Sequence, residues 1–453
     1  MIDHSDFADL GGVSETPATE ILVTRPLQAK QAILARGISI LASFLLTIAV
    51  ARLLGASASG TFFIVFTSLA VFATLARFGT DNLALKLAGA ATSNPVNDSV
   101  RLLEICASLG VLSVILAVGV YASTRQLLPG IGFVTGVVAV SAIVPQGLSV
   151  LAGSILRGHG QLALGTVAEL GSIPTITVAI LLGGALLLRP TISIGVLALA
   201  VGSWLSAVWA VPAAIRASRN AGRKQPFSQP SVPVLSFFRS HMRRLAPMMG
   251  TSLLFYVLTW APVFVLAVTR GPRDVAFFTV AARLAAFITL VPAIQVSYLA
   301  PAFARLYHHE QLEALSELCN RSVWQAILAA AVPALALTAA AQTVVRLLYG
   351  AGFTAAAVPL VFLAFGALMG IVLGQVTQLM LLCELESSAL LLNAGWLFAW
   401  ITLGLWASSL GGVVAASAFA MGSSVIYAAT AAGLLARRRR IYSFARWPVR
   451  AAY

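Results

Sequence analysis

Residues 49–69 read AVARLLGASASGTFFIVFTSL, and residues 265–285 read VLAVTRGPRDVAFFTVAARLA. Each passage closes an apolar helix, turns through a short loop with Gly and Arg, and restarts on a small residue followed by paired phenylalanines. Two copies of one helix–loop–helix junction in a single chain point to an internal duplication. Duplicated sets of membrane helices are a common way to build a transporter, with the substrate path between the copies.

The composition around these passages agrees with a membrane setting. Apolar residues make up 59% of the 453 residues and charged residues 10%. Mean hydropathy is +0.93. A soluble domain is about half apolar and a quarter charged, so this chain lacks the polar surface to face water. A span needs about 20 apolar residues to cross roughly 30 Å of hydrocarbon, and the length allows about twelve. The pattern predicts spans at 33–54, 60–79, 100–122, 131–156, 163–188 and 191–215. A second set follows at 246–269, 274–304, 322–348, 355–383, 387–408 and 411–435. Several contain proline (Pro145, Pro174, Pro212, Pro262, Pro292, Pro333), which a bundle tolerates because neighbouring helices satisfy freed backbone groups.

The reading divides the chain into an N-terminal tail (1–32), a six-helix bundle (33–215), a basic linker (216–245), a second six-helix bundle (246–436) and a basic tail (437–453). Net charge is +14, and its distribution reads as topology rather than nucleic-acid binding. Of the 29 Lys+Arg, only Arg52, Arg125, Arg189, Arg270, Arg273 and Arg346 fall on the side opposite the termini, with Arg283 inside a span. The positive-inside rule then predicts cytoplasmic termini, a basic linker at the anionic inner leaflet, and an inner-leaflet anchor at the terminal ARRRR. The first 30 residues carry no cleavable signal pattern, so the first span is read as an uncleaved anchor. Cys106, Cys319 and Cys383 lie far apart, with no CxxC or metal spacing.

Several weak motifs in order resemble the bacterial polysaccharide and O-antigen flippases of the multidrug/oligosaccharidyl-lipid/polysaccharide (MOP) exporter superfamily. ARLLGASASGTFF (51–63) is similar to that family's loop between spans 1 and 2, and LSVLAGSILRGHGQLALG (148–165) to its connection between spans 4 and 5. AFFTVAARLAAFITLVPAIQVSYLAPAFARLY (276–307) is similar to span 8, and RLLYGAGFTAAAVPLVFLAFGALMGIVLGQ (346–375) to the start of span 10. The resemblance covers about residues 30–436. It implies an all-α polytopic membrane protein, two pseudo-repeated six-helix bundles around a central cavity that opens alternately to either side. It also implies inner-to-outer translocation of a polyprenyl-diphosphate-linked oligosaccharide across the cytoplasmic membrane, for O-antigen, capsule or exopolysaccharide. Membrane lipids, a glycan polymerase and glycosyltransferases are the implied partners, and no cofactor is called for. Many members carry an acid in span 7; here LTWAPVFVL (258–266) has none, which argues against ion coupling there.

A diphosphate must cross a layer where an unpaired charge costs several kcal/mol. Arginine binds phosphate bidentately and stays charged. Arg283 lies about nine residues into span 8, roughly 13 Å deep at 1.5 Å per residue. It is the main candidate for holding the diphosphate midway; the alternative is a structural pair with a nearby acid. Glu169, about two turns into span 5, reads as Arg283's partner, as a proton acceptor for coupling, or as an interfacial residue. Arg36, Arg77 and Arg157 sit near the cytoplasmic ends of spans 1, 2 and 4, where they capture a headgroup or simply anchor topology.

Among amides within the spans, Gln295 and Gln375 are candidate sugar contacts, as are Gln146, Gln378 and Asn393; helix–helix hydrogen bonding suits all five equally. Asp81 and Lys86 read as an interfacial turn. The row Gly366, Gly370, Gly374 reads as close helix packing or a hinge. His308 and His309 read as part of a solvated connection, without further ligands at metal spacing. Three other functions compete. An ion-coupled small-molecule exporter wants an acid-rich first half; a major-facilitator transporter wants a fuller match than Gly79-Thr80-Asp81-Asn82. A glycan polymerase or ligase wants a large outer loop, which is missing. No Walker pattern supports an ATPase.

Overall fold

The computed structural model describes residues 26–89, 95–124, 130–187, 189–222, 233–290, 309–383 and 385–445, with seven positions between 292 and 307. The described residues form helices and no strand. In the N-terminal half these are α1 (Pro26–Arg77), α2 (Thr80–Gly89), α3 (Pro95–Thr124), α4 (Phe133–Ser141), α5 (Ile143–Gly158), α6 (Leu162–Thr166), α7 (Ser172–Leu187) and α8 (Ile192–Gly222). In the C-terminal half they are α9 (Val234–Thr269), α10 (Pro272–Ala285), α11 (Leu312–Ala339), α12 (Ala341–Tyr349), α13 (Ala357–Leu373), α14 (Val376–Leu382), α15 (Glu386–Ala399) and α16 (Leu405–Arg439).

Nine described segments are long and apolar enough to span a membrane. Two of them hold two spans each. Leu34–Arg77 has 44 residues and Ser387–Arg439 has 53, roughly twice the length a bilayer needs at 1.5 Å per residue. The first bends at Gly55 (φ 74°, ψ 176°) and the second at Gly412 (φ 59°, ψ −143°). With α10 opening a further span, the twelve expected segments are accounted for.

The duplication is visible in the backbone itself. Gly271, between α9 and α10, has φ 92° and ψ −175°, close to the values at Gly55. Only glycine reaches this region without strain, so the two copies share a turn that no other residue would make.

Several helices run further than expected. The linker predicted over 216–245 is helical through Gly222 and again from Val234; residues 223–232 lie outside the described residues. Likewise α11 starts at Leu312 rather than 322, taking Glu313 and Glu317 into its first turns. Apolar windows mark where a helix enters lipid, and a helix does not stop there if its next residues are good helix formers. The terminal segments 1–25 and 446–453 and His308 also lie outside the described residues.

Packing differs between the two ends of the molecule. At the end bearing Gly55 and Gly271, one core draws on both halves: Val50, Phe62 and Ile143 pack with Val275, Phe278, Val345 and Phe353. At the opposite end the cores separate. One holds Leu83, Leu102, Leu151 and Leu156 with Phe237 and Leu245 of α9, and the other holds Phe303, Leu315, Leu379 and Leu435. The halves therefore meet at one end and part toward the other. The start of α9 is fastened to the N-terminal half, where Phe238 meets Phe78 at 5.7 Å between ring centroids and Asn82 donates to Ser252 at 3.3 Å.

Candidate functional site

The parting between the halves holds a mostly apolar cavity with a few polar groups. This cavity, of about 290 Å3, lies among Ser39, Ser43 and Phe44 of α1, Leu170 of the π-helical turn Val167–Gly171, and Arg283 of α10. Arg283 thus sits where the two halves face each other. Its guanidinium lies 5.8 Å from the Trp260 ring centroid, a cation–π contact from α9. Phe44 meets Phe287 edge-on at 4.7 Å, beside it. Among the described residues no carboxylate pairs with Arg283. The buried Tyr349 hydroxyl, itself without a hydrogen-bond partner, interacts with it electrostatically.

Glu169 is not Arg283's partner, contrary to one expectation. It pairs with Arg157, whose Nη2 lies 2.6 Å from Oε2. The reason is the crossing of α5 with α6. A Cβ on Gly153 would lie 2.7 Å from the Gly165 carbonyl oxygen, and one on Gly165 would lie 2.5 Å from Arg157 Cγ. Two glycines let the backbones touch, and Arg157 then reaches the turn that carries Glu169. That turn is π-helical, a geometry that re-aims side chains and recurs at functional sites.

Arg77 is almost fully buried at the end of α1. It donates to Thr74 Oγ1 at 2.8 Å, approaches Asp81 at 3.4 Å and lies 5.5 Å from the Tyr256 ring centroid of α9. Arg77 Nε and Asp81 Oδ1 are buried without hydrogen-bond partners. Arg36 is exposed near the start of α1. Arg36, Arg77, Asp81 and Arg157 all act electrostatically on Glu169. The N-terminal half thus holds two ion pairs, Arg77–Asp81 and Arg157–Glu169, with Arg36 exposed near the start of α1.

Asp81 had read as part of an interfacial turn. Its i,i+4 spacing from Arg77 was the available signal. Tyr256, Trp260 and Tyr349 had no signal, because an aromatic in an apolar helix reads as core or lipid contact.

A second cavity, of about 850 Å3, lies in the C-terminal half and shares Thr289 with the first. Gln295 and Gln375 both line it, so these two candidates share a cavity whose described lining includes none of the candidate arginines. Gln295 is buried and donates from Nε2 to the Ser322 carbonyl at 3.2 Å. Gln375 starts α14 just after Gly374 (φ 85°).

Residues 31–307 match the family described as polysaccharide biosynthesis protein. The chain belongs to that family. No curated protein sequence matches it. Its fold is that of the MOP-superfamily transporters. A multidrug resistance MATE family transporter of that superfamily in an inward-facing conformation shares 16% identity over 91% of this chain and 98% of its own, at a TM-score of 0.66. An outward-facing conformation of such a transporter shares 17% over 91% and 94%, at 0.55. A MOP superfamily transporter from Pyrococcus furiosus, reported with a binding pocket of reverse polarity, shares 15% over 91% and 95%, at 0.59. The chain is a multi-pass membrane protein.

Proposed function

We propose that this protein flips a polyprenyl-diphosphate-linked oligosaccharide from the inner to the outer leaflet of the bacterial cytoplasmic membrane by alternating access. The observation that carries the reading is Arg283, a cation facing a cavity between the halves with no acidic partner among the described residues. A cation held this deep is costly unless a mobile anion completes it. A lipid diphosphate suits that role, and the family's link to polysaccharide synthesis favours it over a cationic drug.

In this mechanism the headgroup first meets the exposed Arg36, with Arg77 and Arg157, at the open, cytoplasmic end. It then passes to Arg283 between the halves. Separation of the shared core at the far end, with closure at the cytoplasmic end, releases it outward. Glu169, held by Arg157, serves coupling: a headgroup phosphate that competes for Arg157 frees the carboxylate to take a proton. Both termini are cytoplasmic in this arrangement. The glycan is a unit of O-antigen, capsule or exopolysaccharide, and the pathway's polymerase and glycosyltransferases act beside it.

The test is the leaflet distribution of the lipid-linked oligosaccharide in cells depleted of the protein. The reading expects inner-leaflet accumulation that wild type reverses and Arg283→Ala and Arg283→Gln do not, at equal expression. An unchanged distribution with normal surface glycan would overturn it in favour of a small-molecule exporter.

A further inference from the structure

The two cavities differ in kind. The cavity between the halves carries the cation Arg283 in its lining. Among the described residues, the lining of the larger cavity of the C-terminal half carries no charged side chain. Its walls are apolar (Val323, Leu363, Ile371, Met421), and an aromatic pair closes one side, with Trp396 stacked on Tyr427 at 5.0 Å and 29°.

Among the described residues, three polar atoms of residues lining this cavity are buried without a hydrogen-bond partner: Gln295 Oε1, Gln375 Oε1 and Trp396 Nε1. Gln295 as a whole is only 4% exposed. A buried polar atom left unpaired costs about 1–3 kcal/mol. Three such atoms on residues that line one cavity, two acceptors and a donor, are each satisfied by a hydroxyl, which both donates and accepts, once a rotation of the side chain turns the atom toward the cavity.

The glycine row of α13 keeps the cavity open. Gly366 is a close-packing glycine, whose Cβ would lie 3.2 Å from Met421 Cα. Gly374 sits in a positive-φ bend, where a Cβ would lie 2.0 Å from the Ser443 carbonyl oxygen. Gly370 has no such reason, for a Cβ there meets nothing within 4 Å. It lines the cavity and leaves it empty.

We propose that this cavity is a subsite for an uncharged, hydroxyl-bearing sugar, so that the substrate lies across the molecule with its glycan in the C-terminal half and its diphosphate at Arg283. The proposal rests on the flippase reading and adds what the second half recognises. The sugar's apolar face packs on Trp396, and its hydroxyls pair with the indole N–H and the two amide oxygens. A charged sugar is disfavoured, because nothing in the lining would neutralise it.

The test uses full-length protein in nanodiscs and two probes, polyprenyl diphosphate bearing one neutral disaccharide and polyprenyl diphosphate alone. Wild type is expected to bind the glycosylated lipid about five- to tenfold more tightly, the scale of one stacking contact plus hydrogen bonds. Gly370→Leu, which fills the cavity, and Trp396→Phe, which keeps the ring but removes the N–H, are each expected to lower that preference without changing affinity for the bare lipid. Gly370→Ala, too small to fill the space, is expected to retain most of it and controls for folding. Equal binding of the two probes by wild type, or a preference that survives both Gly370→Leu and Trp396→Phe, would overturn the subsite while leaving the diphosphate reading standing. Binding of neither probe by wild type would overturn the flippase reading and the subsite together.

Discussion

Gly60 and Pro272 touch backbone to backbone: a Cβ added at Gly60 would lie 1.6 Å from the Pro272 carbonyl oxygen. Gly60 begins the returning arm of α1, and Pro272 begins α10. The contact joins the first copy of the duplicated junction to the second.

Any side chain at position 60 must push the halves apart there, because the opposing atom is backbone and cannot rotate away. Gly60→Val is expected to shift the protein from this closed-end state toward the opposite one. Spin labels on cysteines at Ser57 and Ala351, both exposed at that end, should report a longer distance. An unchanged distribution would show that the contact does not hold the end closed.

Arg52 acts as a second clasp at the same end. Its Nε donates to the Leu348 carbonyl at 2.9 Å, and its Nη2 donates to that of Leu347. These are last-turn carbonyls of α12 in the other half, where a cation is favoured. Arg270 does the same for the turn before Gly412, donating to the Ser408 and Ser409 carbonyls at 2.9 and 2.5 Å. Of these two arginines Arg52 bonds across the halves and Arg270 within one, so Arg52→Ala should shift the same label distance and Arg270→Ala should not. The expected shift is about 1 kcal/mol, or roughly fivefold in population.

The Arg157–Glu169 pair predicts an asymmetric mutant series. Its side chains keep 30% and 21% of their exposure, so solvent weakens the pair. Arg157→Ala leaves a carboxylate among packed helices, whereas Glu169→Gln leaves a neutral amide. Arg157→Ala should therefore lower thermal stability more, by about 1–2 kcal/mol against less than 1. The double variant should recover part of the loss, as a thermal-melt cycle would show.

His159 gives a pH dependence outside the spans. It follows α5, and its Nε2 lies 3.1 Å from Ser218 Oγ, which lies 2.8 Å from Ser99 Oγ. Burial lowers the imidazole's pKa below its ordinary value. The unfolded chain then takes up the proton at higher pH than the folded one, so stability rises with pH through that window and falls on acidification. The melting temperature should drop between about pH 7 and pH 5, and His159→Gln should flatten part of that slope. An identical slope in the variant would remove His159 from the explanation.

Arg283→Lys separates charge from geometry. Lysine keeps the cation but not the planar fork that grips two phosphate oxygens. Transport should fall about tenfold in this variant and nearly vanish in Arg283→Gln, in a leaflet-distribution assay at matched expression. Equal activity of the lysine variant would mean that charge alone suffices.

The spans were legible because a bilayer imposes a length and a composition that hydropathy records directly. The bends at Gly55 and Gly271 were legible because a positive φ leaves few alternatives to glycine. Rotation of each helix about its own axis was not. Glu169 could face Arg283 or Arg157 at the same depth, and the choice was made by Gly153 and Gly165 at a crossing that no periodicity announces. Tyr256 and Trp260 were overlooked for a related reason. Their partners, Arg77 and Arg283, come from other helices, and lipid-facing and partner-facing aromatics look alike in one chain.

The core at the end bearing Gly55 and Gly271, drawn from both halves, has a thermodynamic corollary. To turn over, the protein must divide that apolar cluster while the two separate clusters stay whole. Dividing it wets apolar surface, which raises heat capacity, unless lipid tails or a new contact at the other end cover it. The curvature of the transport rate with temperature therefore measures how much of the divided surface meets water.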